Sequence, residues 1–63
     1  MARFQVITSD GESVSAVSAP NFPGFFTMFA YDIDKDVTAE VMLSVADLHE
    51  IRNGIDSLLA TEQ

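Results

Sequence analysis

Asp32, Asp34 and Asp36, in the segment DIDKD, are the residues of this 63-residue chain whose type and spacing come nearest to a ligating constellation. Alternating carboxylates at the start of a calcium loop converge oxygen ligands on a hard cation. The pattern then departs from that chemistry. The sixth loop position holds Val37, where a glycine makes the sharp turn, and the twelfth holds Leu43, where a bidentate glutamate belongs. Glu40 can join the three aspartates only through an irregular arrangement. The segment reads as a solvated hairpin turn with its like charges softened by Lys35, and no metal site is assigned.

General acid–base chemistry fares no better. His49 is the only imidazole, and at helical spacing it falls beside Glu50 and Asn53, away from Leu48, Ile51 and Ile55. A catalytic base needs a nucleophile and an orienting group within hydrogen-bond reach. Nothing in the sequence brings Ser9, Ser13 or Ser57 to His49. There is no nucleophile elbow, no glycine-rich phosphate loop and no metalloprotease histidine pair. The sequence assigns no catalytic residue and no cofactor, and an enzyme would have to be built at a boundary between subunits.

The third constellation is apolar. In the run Phe25 to Tyr31 (FFTMFAY), strand geometry sends Phe26, Met28 and Ala30 to one side and Phe25, Thr27, Phe29 and Tyr31 to the other. Both sides are hydrophobic, and a single convincing helix can close only one of them. Interfaces concentrate aromatic residues and methionine at a desolvated centre with polar groups around it. The row Phe25, Thr27, Phe29, Tyr31 and Met42, bordered by Thr38 and Glu40, has that composition. Phe22, in the preceding loop, is a further candidate anchor. These are the predicted interface residues, on the open face expected to meet another copy of the chain, as a homodimer or other homo-oligomer, or a different partner.

The elements that must position this row follow from local signals. Arg3 to Thr8 and Ser13 to Ser18 read as two strands joined around Asp10-Gly11, a type I′ hairpin signal. A two-residue loop there sets Phe4 opposite Val17, Val6 opposite Ser15, Gln5 opposite Ala16 and Ile7 opposite Val14. Neither face of that hairpin is cleanly polar. Ala19 to Gly24 (APNFPG) is the one clear break, with Pro23-Gly24 suited to the centre of a type II turn. Val37 to Leu43 alternates as a fourth strand. A reversal around Asp34-Lys35 sets Phe26 against Leu43, Met28 against Val41 and Ala30 against Ala39 on a wholly apolar face. Thr27, Phe29 and Tyr31 then oppose Met42, Glu40 and Thr38.

A helix follows. Ser44 is its expected N-cap, Asp47 the acid of a capping box, and Leu43 with Leu48 a hydrophobic staple. Leu48, Ile51, Ile55, Leu58 and Leu59 make one apolar stripe, predicted to lie on Phe26, Met28, Val41 and Leu43. Gly54 interrupts this helix without ending its stripe. The predicted fold is α+β: a four-stranded antiparallel meander with one C-terminal helix packed on one face, in a single domain over residues 1–63.

Composition bounds the rest. A chain of this length buries only about 60% of its unfolded surface and needs some extra source of stability. It has no cysteine and one histidine, which excludes disulfides and disfavours structural zinc, so oligomerisation is the remaining ordinary route. The net charge of −7, against only Arg3, Lys35 and Arg52, is the opposite of a nucleic-acid binder's footprint. Direct contact with nucleic acid or anionic membrane is not expected. No signal peptide and no membrane-spanning run is visible, so a cytoplasmic location is expected. A chain beginning at Met1 with no linker-like segment reads as a complete small gene product, of a kind common in phages and mobile elements by analogy alone.

Together these features predict a small, acidic, soluble, non-enzymatic protein-interaction module. It should be a homodimer or higher homo-oligomer, with an accessory or regulatory role toward a partner protein. One alternative is an acidic mimic of nucleic acid that occupies a basic groove, with Asp10, Asp32, Asp34, Asp36 and Glu40 along one side. A second is a small oligomeric ligand-binding protein or enzyme with a site at a subunit boundary.

Overall fold

The computed structural model describes residues 3–62. Four strands, β1 (Arg3–Ile7), β2 (Ser13–Ser18), β3 (Phe25–Asp32) and β4 (Val37–Ser44), precede one helix, α1 (Val45–Thr61). The strands form a single antiparallel sheet in the order β1-β2-β3-β4. This is the predicted ββββα meander.

Between β3 and β4 the predicted register holds at every pair named above, from Phe26 opposite Leu43 to Tyr31 opposite Thr38. The turn that sets it is built by aspartates. Asp32 Oδ1 accepts the backbone N–H groups of Asp34 at 3.0 Å and Lys35 at 3.3 Å, so a side chain satisfies donors that the ladder cannot reach. Asp36 closes the loop in the left-handed region at φ 52°, which aspartate tolerates better than most residues.

The hairpin of β1 and β2 differs from expectation by one residue. Its loop has three residues rather than two: Gly11 N–H donates to Thr8 O at 3.0 Å and Thr8 N–H to Glu12 O at 2.8 Å. Only Gly11, at φ 91°, takes the positive-φ position, and Asp10 does not. This is the next most common hairpin design, a turn followed by a left-handed glycine. The Thr8 hydroxyl adds a bond from Glu12 N–H at 3.1 Å.

Phe4 therefore pairs with Ala16, Gln5 with Ser15, Val6 with Val14 and Ile7 with Ser13. Shifting the register by one residue re-sorts the side chains, and the faces become cleaner than predicted. Phe4, Ala16, Met28 and Val41 now form one row across the sheet, and Val6, Val14, Ala30 and Ala39 the next. We call this largely apolar side, which also carries Ser18 and Asp32 at its two ends, the helix face.

The loop between β2 and β3 is two consecutive turns with a proline second in each. Phe22 N–H donates to Ala19 O at 3.3 Å, and Phe25 N–H to Phe22 O at 3.0 Å. Gly24 sits at φ 84° in the second, as a type II turn requires. The predicted capping box is complete: Asp47 N–H donates to Ser44 Oγ at 3.1 Å, and Ser44 N–H to Asp47 Oδ2 at 2.9 Å. Ser44 ends β4 and caps α1 at once, so no linker separates strand from helix.

The helix starts over the predicted face but does not close it. Leu48 and Ile51 are half-buried, while Val6, Val41, Ile55 and Leu58 stay exposed. Among the described residues only Ala16, at 4% exposure, and Ala19, at 8%, are buried hydrophobics. The expected burial of Val41 beneath the stripe is not seen.

Gly11 and Gly54 should respond oppositely to alanine. A Cβ at Gly54 meets nothing within 4 Å, so Gly54→Ala should stabilise the helix by about 1 kcal/mol. A Cβ at Gly11 lies 2.9 Å from Ile33 Cδ1 on a backbone at φ +91°, and Gly11→Ala should destabilise by about 1–2 kcal/mol. Urea unfolding at one fixed protein concentration measures both; the same sign for the two would contradict this reading of the backbone.

Candidate protein-interaction surface

Opposite the helix face, the pleat collects the predicted row. Phe25, Thr27, Phe29 and Tyr31 alternate along β3, and the flanking strands supply Met42 and Val17 beside Thr27, Glu40 and Ser15 beside Phe29, and Thr38 and Ser13 beside Tyr31. Beyond them lie Arg3, Gln5 and Ile7 on β1. Among the described residues no helix crosses this side. Phe25 and Met42 are exposed, and Thr27, Phe29 and Tyr31 are half-buried by their neighbours in the sheet.

The small hydroxyl residues Ser13, Ser15 and Thr38 flank the two largest rings. With Glu40 and Gln5 on the flanking strands, they surround the half-buried rings with polar groups. That is an aromatic centre with a polar border. Phe22 is also exposed, held between the two proline turns at the end where α1 begins.

At the other end of the sheet the turns after β1 and β3 lie side by side. Ser13 pairs with Tyr31, which brings Glu12 up to the aspartate turn. Carboxylate oxygens of Glu12, Asp32 and Asp34 all lie within 4.8 Å of one another. The sequence grouped Asp36 with Asp32 and Asp34, whereas here Asp36 leaves the cluster and Glu12 takes its place. The missed signal is the pairing of β2 with β3, which carries Glu12 across from the preceding hairpin. Asp32 is already committed to two backbone donors. The cluster is an acidic loop end with no further feature that points to a ligand.

Asp36 instead accepts a 2.8 Å hydrogen bond from the Tyr31 hydroxyl. This ties the last ring of the row to the turn. His49 is exposed near the start of α1, whereas Ser9 and Ser13 lie at the opposite end of the sheet and Ser57 is two turns further along the helix. The described residues do not assemble the predicted histidine, serines and aspartates into one site.

The helix face holds what the sequence did not single out. A cleft of about 630 Å³ opens between sheet and helix, with Val6, Val14 and Met28 on one wall and Ile51 and Ile55 on the other. A second, of about 520 Å³, continues from Val14 over Ala30 and Ala39 toward the acidic loop end. Together they form an apolar trough along the face that α1 leaves open. No family model, curated protein or solved structure matches the chain.

The phenol of Tyr31 is held above its ordinary value of 10.0, first by the hydrogen bond to Asp36, then by partial burial and the charge of Asp32. Its neutral form is thus favoured in the fold. The stability this lends is present below pH 10 and lost as pH rises through the raised value. With one tyrosine and no tryptophan, tyrosinate absorbance should titrate above 10.0 and fall toward it in Asp36→Ala; identical midpoints would show that the bond has no weight in solution.

Proposed function

We propose that this chain is a small, acidic, non-enzymatic protein-interaction module that acts as a homo-oligomer and presents the row Phe25, Thr27, Phe29, Tyr31 and Met42, with Phe22, to a partner protein. An accessory or regulatory role toward that partner fits a body with contact surfaces and, among the described residues, no assembled reactive group. The observation that carries this reading is the near absence of an interior: Ala16 and Ala19 are the buried hydrophobics of the described chain, while large apolar side chains lie open on both sides of the sheet. Exposed apolar patches beyond a few hundred Å² mark association surfaces.

The acidity supports this reading better than a mimic of nucleic acid. Five carboxylates, those of Asp10, Glu12, Asp32, Asp34 and Asp36, sit in two adjacent turns, and three of them crowd together instead of spacing out along a side. Among the described residues no helix is long and apolar enough to cross a membrane.

Sedimentation equilibrium should return a multiple of the 6.9 kDa protomer mass. Immobilised protein carrying Phe29→Asp should retain a partner at least tenfold less than the unaltered chain, with its circular dichroism unchanged. A monomer that binds no better than its Phe29→Asp variant would overturn the proposal.

A further inference from the structure

The exposed surface of the chain is 5065 Å². A compact monomer of 6.9 kDa exposes about 4,000 Å², so this protomer carries roughly 1,000 Å² more than its mass accounts for. That excess is the area one partner contributes to a stable interface, about 800 Å² in a standard complex and more in obligate homodimers.

Part of this exposed area lies on the helix face. The trough on the helix face is floored by small side chains, Ala30 and Ala39, and walled by Val6 and Val14, with Val6 57% exposed. The valines stand on β1 and β2 and the alanines beside them on β3 and β4, and so low a floor admits a helix closely. The chain also holds a helix segment suited to such a floor. Toward its C-terminal half α1 turns Ile55 and Leu58 away from cover, and Leu58 is 68% exposed.

Charge selects the occupant. Lys35 and Arg52 border the trough with the acids Glu12, Asp32 and Asp56, and Arg3, near the end of the edge strand β1, lines a cleft beside Leu48 at its foot as well as one with Gln5 and Val17 on the other side. The lining residues balance three cations against three acids, with Asp34 crowding Glu12 and Asp32 at the far end of the trough, whereas the chain as a whole carries −7. Two copies of so acidic a protein repel across most of their surfaces, and a rim this close to balance lets them meet at low cost.

We infer that the trough is the self-association surface, occupied by α1 of a second copy in a two-fold arrangement. Each helix lays Ile55 and Leu58 over Val6, Val14 and Ala39 of the other chain. A two-fold interface is isologous, so the same residues serve as donor and acceptor of the contact. Sheet, two helices and sheet then stack as layers with the helix faces inward, and the aromatic rows point outward. This rests on the homo-oligomeric part of the function proposed above and assigns it to one face, freeing the other for the partner.

Sedimentation of three variants beside the unaltered chain tests the assignment. The pair Ile55→Glu with Leu58→Glu, and separately Ala39→Glu, should weaken self-association at least tenfold, with helix content retained because all three side chains are exposed in the protomer. Phe29→Asp should leave the mass unchanged. In a mixed-isotope sample of the unaltered protein, filtered NOE spectra should connect Leu58 methyls of one copy with Val6, Val14 or Ala39 methyls of the other. A dimer that Phe29→Asp dissociates and the helix variants do not would overturn this assignment while leaving the proposed function standing. A monomeric unaltered chain would overturn the assignment and the homo-oligomeric reading together, giving the trough to a different protein.

Discussion

A four-stranded sheet has two faces, and this chain owns a single 17-residue helix with which to cover them. Every other property of the structure is arranged around that shortage. Covering apolar area is the dominant favourable contribution to folding, and here the capacity to do so within one protomer runs out before either face is closed. The meander, the turns and the cap are well formed, so the deficit is one of cover and not of local structure. Stability in such a chain draws on backbone ladders and caps, and the homo-oligomer proposed above would supply the cover that one protomer lacks.

Where local chemistry decides, the sequence was legible. Ser44 and Asp47 mark the helix start through reciprocal bonds that any N-terminus needs, and Pro23-Gly24 marks a turn through φ preferences that few other pairs share. The register of β3 on β4 was readable because a one-residue slip would move Phe26, Met28 and Leu43 off a common face. The β1–β2 register was not, because both of its faces mixed apolar and polar residues under the expected pairing. Asp10-Gly11 serves a two-residue loop and a three-residue loop alike, and the pattern could not choose between them.

The candidate surface shows the same division. The aromatic row was visible from strand alternation alone, since it needs only the period of two. The trough was not visible, because it depends on how far α1 departs from the sheet after Ile51, which no periodicity encodes. A stripe says which side of a helix is apolar and nothing about the distance to what it faces. The juxtaposition of Glu12 with Asp32 and Asp34 was hidden for a related reason, since it arises from the crossing of two turns that are remote in sequence.

One residue, Ser44, belongs to the β4 ladder, where it pairs with Phe25, and to the helix cap. With no linker at this joint, the first turn of α1 follows directly on the last rung between β3 and β4, so one residue fixes both where the sheet ends and where the helix sets out across it.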